Sequence, residues 1–146
     1  MSSEHSSGHV HRQYEGDGII VHWEPAFCLH TGNCTLNQPD VFNPKARPWV
    51  SAGRASAEAI AEAIRHCPSG ALSYERTDGG PQEPAGGEVE VEAQTNGPLY
   101  VRGSLEICDA EGNVIRRATR AALCRCGSSR NKPFCDNSHI GIGFEA

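Results

Sequence analysis

The chain has 146 residues with 13 Lys and Arg, 18 Asp and Glu, 7 Cys, 16 Gly and 9 Pro, for a net charge of −5. So few core formers among so many turn formers predict small cores that need a metal or a cross-link. No apolar run approaches the ~20 residues of a bilayer span, and the amino terminus lacks an apolar signal region, which predicts a cytoplasmic protein without membrane contact.

In that compartment thiols stay reduced, and the odd cysteine count speaks for metal ligands over disulfides. The charge is divided unevenly. Residues 1–112 hold 7 Lys and Arg against 16 Asp and Glu, and residues 113–146 hold 6 against 2. The acidic first part argues against a nucleic-acid binder.

Residues 1–13 are polar and read as a disordered tail, His5, His9 and His11 included. GIIVHWEP (18–25) predicts a strand, with Trp23 in the core and His22 facing solvent. AFCLHTGNCTLNQPDVF begins as a loop and becomes a short helix after Gly32; RPWV is a short strand or extended turn. SAEAIAEAIRHC (56–67) is the clearest helix. Ser56 suits its N-cap, Glu58 its positive end, and Ile60, Ile64 and Cys67 share one face, before Pro68 and Gly70 stop it. ALSYE returns as a strand, and RTDGGPQEPAGGE (76–88) reads as a linker. EVEVEAQ alternates, and LYVRGSLEI (99–107) and VIRRATRAAL (114–123) predict strands around the turn DAEGN. The fold class is α+β: a small unit at 14–76, a linker and lead-in strand at 77–97, and a mostly β unit at 98–146.

Two sets of residues carry chemistry. CRCGSSRNKPFCDNSH spaces Cys124, Cys126, Cys135 and His139 so that the turn formers Gly127, Ser128, Ser129 and Pro133 let them converge. Three thiolates and an imidazole suit a closed tetrahedral zinc site or an iron–sulfur cluster with one His ligand. The other set is Cys28, Cys34 and Cys67, with Thr31 midway between the first two and Pro68 after the third. Cys-Pro closes bacterial ferredoxin clusters, while three buried structural cysteines are the plainer alternative. Cys108 falls outside both sets and reads as a small buried residue. His66 beside Cys67 suits either a hydrogen bond to a cluster sulfur or a simple interaction with its helix end.

The pattern C-x-C-x2-S-x3-P-x-C-D-x-S-H, read here as Cys124, Cys126, Ser129, Pro133, Cys135, Asp136, Ser138 and His139, resembles the CDGSH iron–sulfur domain of the mitoNEET-like family over about residues 98–144. Asn137 stands where that family usually has Gly. The resemblance implies a [2Fe–2S] cluster with Cys124 and Cys126 on the inner iron and Cys135 and His139 on the outer one. A neutral imidazole in place of thiolate raises the potential and couples reduction to pH. Arg116, Arg117, Arg120, Arg125, Arg130 and Lys132 lie near the motif in sequence; they either favour the reduced form or make a solvated strand face. Asp136 is expected to hold a turn. A single motif implies a homodimer through the C-terminal β region.

YEGDGIIVHWEPAFCLHTGNCTLNQPDVFNPKARPWV and CPSGALSYE resemble the divergent single-cluster ferredoxin-like domain over about residues 14–76. This implies a cluster on Cys28, Cys34 and Cys67. Three thiolates match [3Fe–4S] directly, while [4Fe–4S] needs a fourth ligand from His30, Thr31 or solvent. With no phosphate loop, dinucleotide fingerprint or nucleophile elbow, an electron carrier is expected rather than an enzyme. Its acidic part would dock a basic redox partner. The alternatives are cluster transfer to an apo-acceptor or redox sensing, and then a zinc-bound structural module.

Overall fold

The computed structural model describes residues 10–83 and 88–146. Two three-stranded antiparallel sheets carry the fold, in the orders β1-β2-β3 and β4-β5-β6, with short helices between strands, an α+β arrangement that is mostly β in its second part.

The first sheet holds β1 (Arg12–Glu15), β2 (Ile19–Trp23) and β3 (Leu72–Arg76). β1 includes residues expected to be tail: Arg12 pairs with Trp23 and Glu15 with Ile20. Its polar run RQYE lacks an apolar alternation, and Tyr14 alone packs on the core, so composition concealed the strand. The remaining tail residues, 1–9, lie outside the described residues. β2 buries Ile19 and Val21. His22, expected at the surface, is buried beneath His11, whose Nε2 is 2.9 Å from His22 Nδ1.

Between β2 and β3 run a 3-10 turn (Pro25–Phe27), α1 (Asn33–Asn37) and α2 (Ala57–Arg65). RPWV contributes one bridge, Phe42 to Val50, rather than a sheet strand. Ser56 caps α2 as expected, its Oγ accepting from the Ala59 N–H at 3.1 Å. Ala57, Ile60, Ala61, Ala63 and Ile64 then form one buried face against Ile19, Val21, Val41, Phe42, Val50, Leu72 and Tyr74. Burying Ile60 and Ile64 contributes roughly 2 kcal/mol each.

The second sheet holds β4 (Glu90–Ala93), β5 (Leu99–Cys108) and β6 (Val114–Leu123). Asp109 Oδ1 closes the hairpin by accepting from the N–H groups of Glu111 (3.0 Å) and Asn113 (2.9 Å). Cys108, expected to be buried, sits at the exposed end of β5. α3 (Ser138–Gly141) follows the cysteine loop.

β6 inserts two arginines into the first half of the chain. Arg116 is 2% exposed and Arg120 5%, a depth at which a charge must be fully partnered. Arg120 donates to the carbonyls of Ile64 (2.9 Å), Cys67 (2.5 Å) and Leu72 (2.9 Å) and to the Glu83 carboxylate (2.7 Å). Arg116 donates to the Ser69 (3.2 Å) and Gly70 (2.9 Å) carbonyls and to Glu24 (3.3 Å), and its guanidinium lies 3.9 Å from the Phe27 ring centre. Gly70, at φ 73°, lets the turn approach so closely that an added Cβ would stand 2.3 Å from the Arg120 carbonyl oxygen. These two side chains therefore neither ring the second cysteine set nor face solvent. The start of the predicted linker is also fastened: Gln82 Oε1 accepts from the Arg76 N–H at 2.8 Å, and Glu83 accepts from the Tyr74 N–H at 3.2 Å. Residues 84–87 of that stretch lie outside the described residues.

Removing one partner of a buried ion pair leaves the other desolvated and alone. Arg120→Leu is expected to destabilise the chain by roughly 3–5 kcal/mol in denaturant melts followed by circular dichroism. A loss within ~0.5 kcal/mol, typical of surface substitutions, would contradict the clamp.

Candidate metal centres

The loop carrying Cys124, Cys126, Cys135 and His139 springs from the end of β6 and returns beside it. The Cys124 N–H donates to Pro133 O and the Cys135 N–H to Ala122 O, both at 2.8 Å, and Leu123 bridges to Phe134. Within the loop, Ser129 Oγ donates to Phe134 O at 2.6 Å and accepts from the Asn131 N–H at 2.9 Å. Asp136 holds the turn, as expected: its carboxylate accepts from the N–H groups of Arg130 (2.9 Å) and Ser138 (3.0 Å). Bonds from Ser138 first, and then from Arg130, hold that carboxyl down at about 2.

These restraints pair the donors. Cys124 Sγ and Cys126 Sγ are 4.0 Å apart, Cys135 Sγ and His139 Nδ1 are 3.6 Å apart, and all four side chains line one small hollow with Gly97 and Pro98. Each sulfur receives a backbone N–H: Gly127 to Cys124 (3.3 Å), Ser128 to Cys126 (3.4 Å) and Asn137 to Cys135 (3.4 Å). Such bonds favour the thiolate over the thiol. Burial opposes ionisation of Cys124, but the N–H groups of Ser129 and Gly127 outweigh it and bring the thiol below its ordinary value. Burial raises Cys135.

The first site is a half-open cavity of about 780 Å³ lined by Cys28, Cys34 and Cys67 together with His30, Thr31 and Trp49. Cys28 leaves the 3-10 turn, Cys34 lies in α1 and Cys67 follows α2. The Asn33 amide donates to His66 O at 3.0 Å, tying α1 to the Cys67 turn. Burial pushes the Cys28 thiol up to about 11, with the His30 N–H opposing and the Cys67 and Cys34 thiolates adding to the rise; burial likewise raises Cys34. Mutual repulsion of that kind is relieved when a cation draws off the protons.

His30 has a left-handed backbone (φ 56°) that brings its N–H to 3.3 Å and its Nδ1 to 3.8 Å from Cys28 Sγ. The imidazole thus stands at hydrogen-bonding distance from a proposed ligand sulfur. Thr31 Oγ1 accepts from the Asn33 N–H at 3.4 Å. His66 turns toward Glu62, at 3.3 Å, on its own helix. The Trp49 indole N–H is buried with no acceptor among the described residues, though its ring lines this cavity. Three thiols around one space fit a cofactor built from iron and sulfide, which supplies the cation that they would bind.

Comparison with known proteins agrees with this donor chemistry. Residues 14–77 match the divergent 4Fe-4S mono-cluster family, and residues 96–140 match the iron-binding zinc finger of CDGSH type. The uncharacterized protein YjdI of Escherichia coli (strain K12) is 38% identical over 64 residues, covering 44% of this chain and 84% of that protein; its counterpart in Escherichia coli O157:H7 matches equally. The chain belongs to the divergent 4Fe-4S mono-cluster family, extended by a CDGSH-type domain. It is an iron–sulfur protein.

In this iron–sulfur chain, Asn137 and Leu29 join the two cysteine sets and the Trp49 ring lines the first, which sequence reasoning missed. Asn137 was visible as a departure from the CDGSH pattern; Leu29 and Trp49 look like ordinary core residues.

The opposed thiol shifts predict an order of reactivity. At mildly alkaline pH the metal-free chain is expected to be alkylated by iodoacetamide faster at Cys124 than at Cys28, because the thiolate reacts. Peptide mass spectrometry over a time course reads this directly, and faster labelling at Cys28 would contradict the electrostatics.

Proposed function

We propose that this protein carries electrons through two iron–sulfur clusters rather than catalysing a reaction of its own. One is a [2Fe–2S] centre, with Cys124 and Cys126 on its inner iron and Cys135 and His139 on its outer iron. The other rests on Cys28, Cys34 and Cys67. The observation that carries the reading is the pairing of donors at the second site. A single tetrahedral zinc sets every pair of thiolates about 3.8 Å apart. Here two close pairs form, and among the described residues no three His, Cys, Asp or Glu side chains converge tightly enough for one ion. Two pairs suit two irons.

At the first site three thiolates support [3Fe–4S] as the oxidised form. His30 reads as a hydrogen-bond donor that tunes Cys28, because its imidazole stands close beside that sulfur rather than at a separate corner. The protein works in the cytoplasm, and the acidic first part docks a basic redox partner through a small, transient contact. A homodimer forms through the C-terminal β region, where β4 is exposed and presents Val91, with the exposed Val89 just before it. A second reading, transfer of the [2Fe–2S] cluster to an apo-acceptor, is favoured by the position of His139, half-buried beside the exposed Ile140 and Ile142.

The test is electron paramagnetic resonance with a redox titration of anaerobically prepared protein. The untreated sample is expected to show an oxidised [3Fe–4S] signal, and the [2Fe–2S] signal to appear on reduction. The midpoint potential of the latter falls with rising pH by up to ~59 mV per unit. In His139→Cys it is lower by on the order of 100 mV and loses its pH slope. Equal potentials and slopes in the two proteins would overturn the His-ligated centre. If electron exchange survives in His139→Cys while donation to an apo-acceptor stops, cluster transfer is the better reading.

A further inference from the structure

The two cysteine sets meet at one residue. Asn137 donates its backbone N–H to Cys135 Sγ at 3.4 Å. Its side-chain Nδ2 donates to the carbonyl of Leu29 at 3.0 Å, the residue between Cys28 and His30. Leu29 itself is 8% exposed and packs in a small cluster with Ala122 and Cys135, against Tyr100. A second asparagine, Asn131, fastens the same segment one turn earlier, donating to Ala26 O at 3.2 Å. Tyr100 stands within electrostatic range of both sites: burial raises its phenol, with further contributions from Cys135 and then Cys67.

Asn137 has a left-handed backbone, φ 73°. Glycine adopts that conformation without strain, and asparagine tolerates it better than most other residues. Where the CDGSH family usually has Gly, there is no side chain to reach a neighbouring domain. Asn keeps the turn and adds a donor aimed at the first site.

We infer that Asn137 couples the two metal centres, its backbone serving the Cys135 sulfur while its amide holds the chain beside Cys28, so that a change at either centre is felt at the other. This rests on the two-cluster reading and makes Asn137 a positioning residue. Loading or reduction of the first centre shifts the segment from Cys28 to His30. The Leu29 carbonyl moves with it, and the bond to Asn137 transmits the shift to the sulfur of the outer ligand pair. The coupling is reciprocal, as any free-energy linkage between sites must be.

A double-mutant cycle tests it on the full-length holoprotein. Cys34→Ala disables the first centre at a residue that does not touch Asn137. Asn137→Gly removes the amide and keeps the turn. The readout is the half-life of the visible absorbance of the second centre at mildly acidic pH. In the parent background, Cys34→Ala is expected to change that half-life about twofold to tenfold, the scale of one net hydrogen bond. In the Asn137→Gly background that change should shrink markedly, leaving only what the Asn131 bond to Ala26 and the packing of Leu29 on Cys135 carry. An equal effect in both backgrounds would overturn the coupling and leave Asn137 a structural residue.

Should Cys34→Ala fail to fold, the same comparison is made by poising the first centre oxidised or reduced in the parent and in Asn137→Gly. The same two outcomes then decide. Iron and sulfide analysis separates the levels: a parent with no cluster at Cys28, Cys34 and Cys67 sinks the two-cluster reading, whereas two loaded centres that ignore each other sink the coupling alone.

Discussion

Two guanidinium groups cannot lie in a protein interior without carbonyl and carboxylate partners, and that constraint organises this molecule, with Arg116 Nε alone left without an acceptor among the described residues. Arg116 and Arg120 stand four residues apart on one face of β6 and reach into the other half of the chain. There they donate to carbonyls of Ile64 and of the turn from Cys67 to Leu72, and the carboxylates of Glu24 and Glu83 balance their charge. The turn bearing Cys67 is therefore held by the strand that ends one residue before Cys124. Both cysteine sets hang from β6, one from its flank and the other from its tip.

The two cysteine sets are supported differently. Cys34 and Cys67 pack against the large core of the first half, whereas the second cysteine loop is shaped by Ser129 and Asp136, short polar side chains that accept from nearby N–H groups. Those bonds leave the backbone donors of Gly127, Ser128 and Asn137 pointing at sulfur. A site preorganised in this way presents thiolates at modest cost and offsets the negative charge that iron and sulfide bring. The first site is looser and wider, and burial makes the thiols of Cys28 and Cys34 resist ionisation. That difference suits centres of different size.

Much of this was legible in the residues. The apolar stripe of Ile60 and Ile64 behind a Ser56 cap fixed α2, because helical periodicity and capping are local properties. The cysteine spacings likewise marked two sets, each of which lines one space in the structure. What stayed hidden depends on contacts far apart in sequence. β1 is a polar edge strand that shows itself only through its pairing with β2 and the packing of Tyr14 on the core. The run of arginines looked like one basic patch. In retrospect Ala118 and Ala122, on the same strand face as Arg116 and Arg120, were the available signal: small side chains on that face leave room for another part of the chain. Asn137 departs visibly from the CDGSH pattern, but its contact with Leu29 spans 108 residues and no local rule foretells it.

The most direct measurement is chemical. Iron and acid-labile sulfide are assayed per chain after strictly anaerobic purification. Two centres of the proposed types require about five irons and about six sulfides in each chain. Stoichiometric zinc with no labile sulfide would contradict the account at its root.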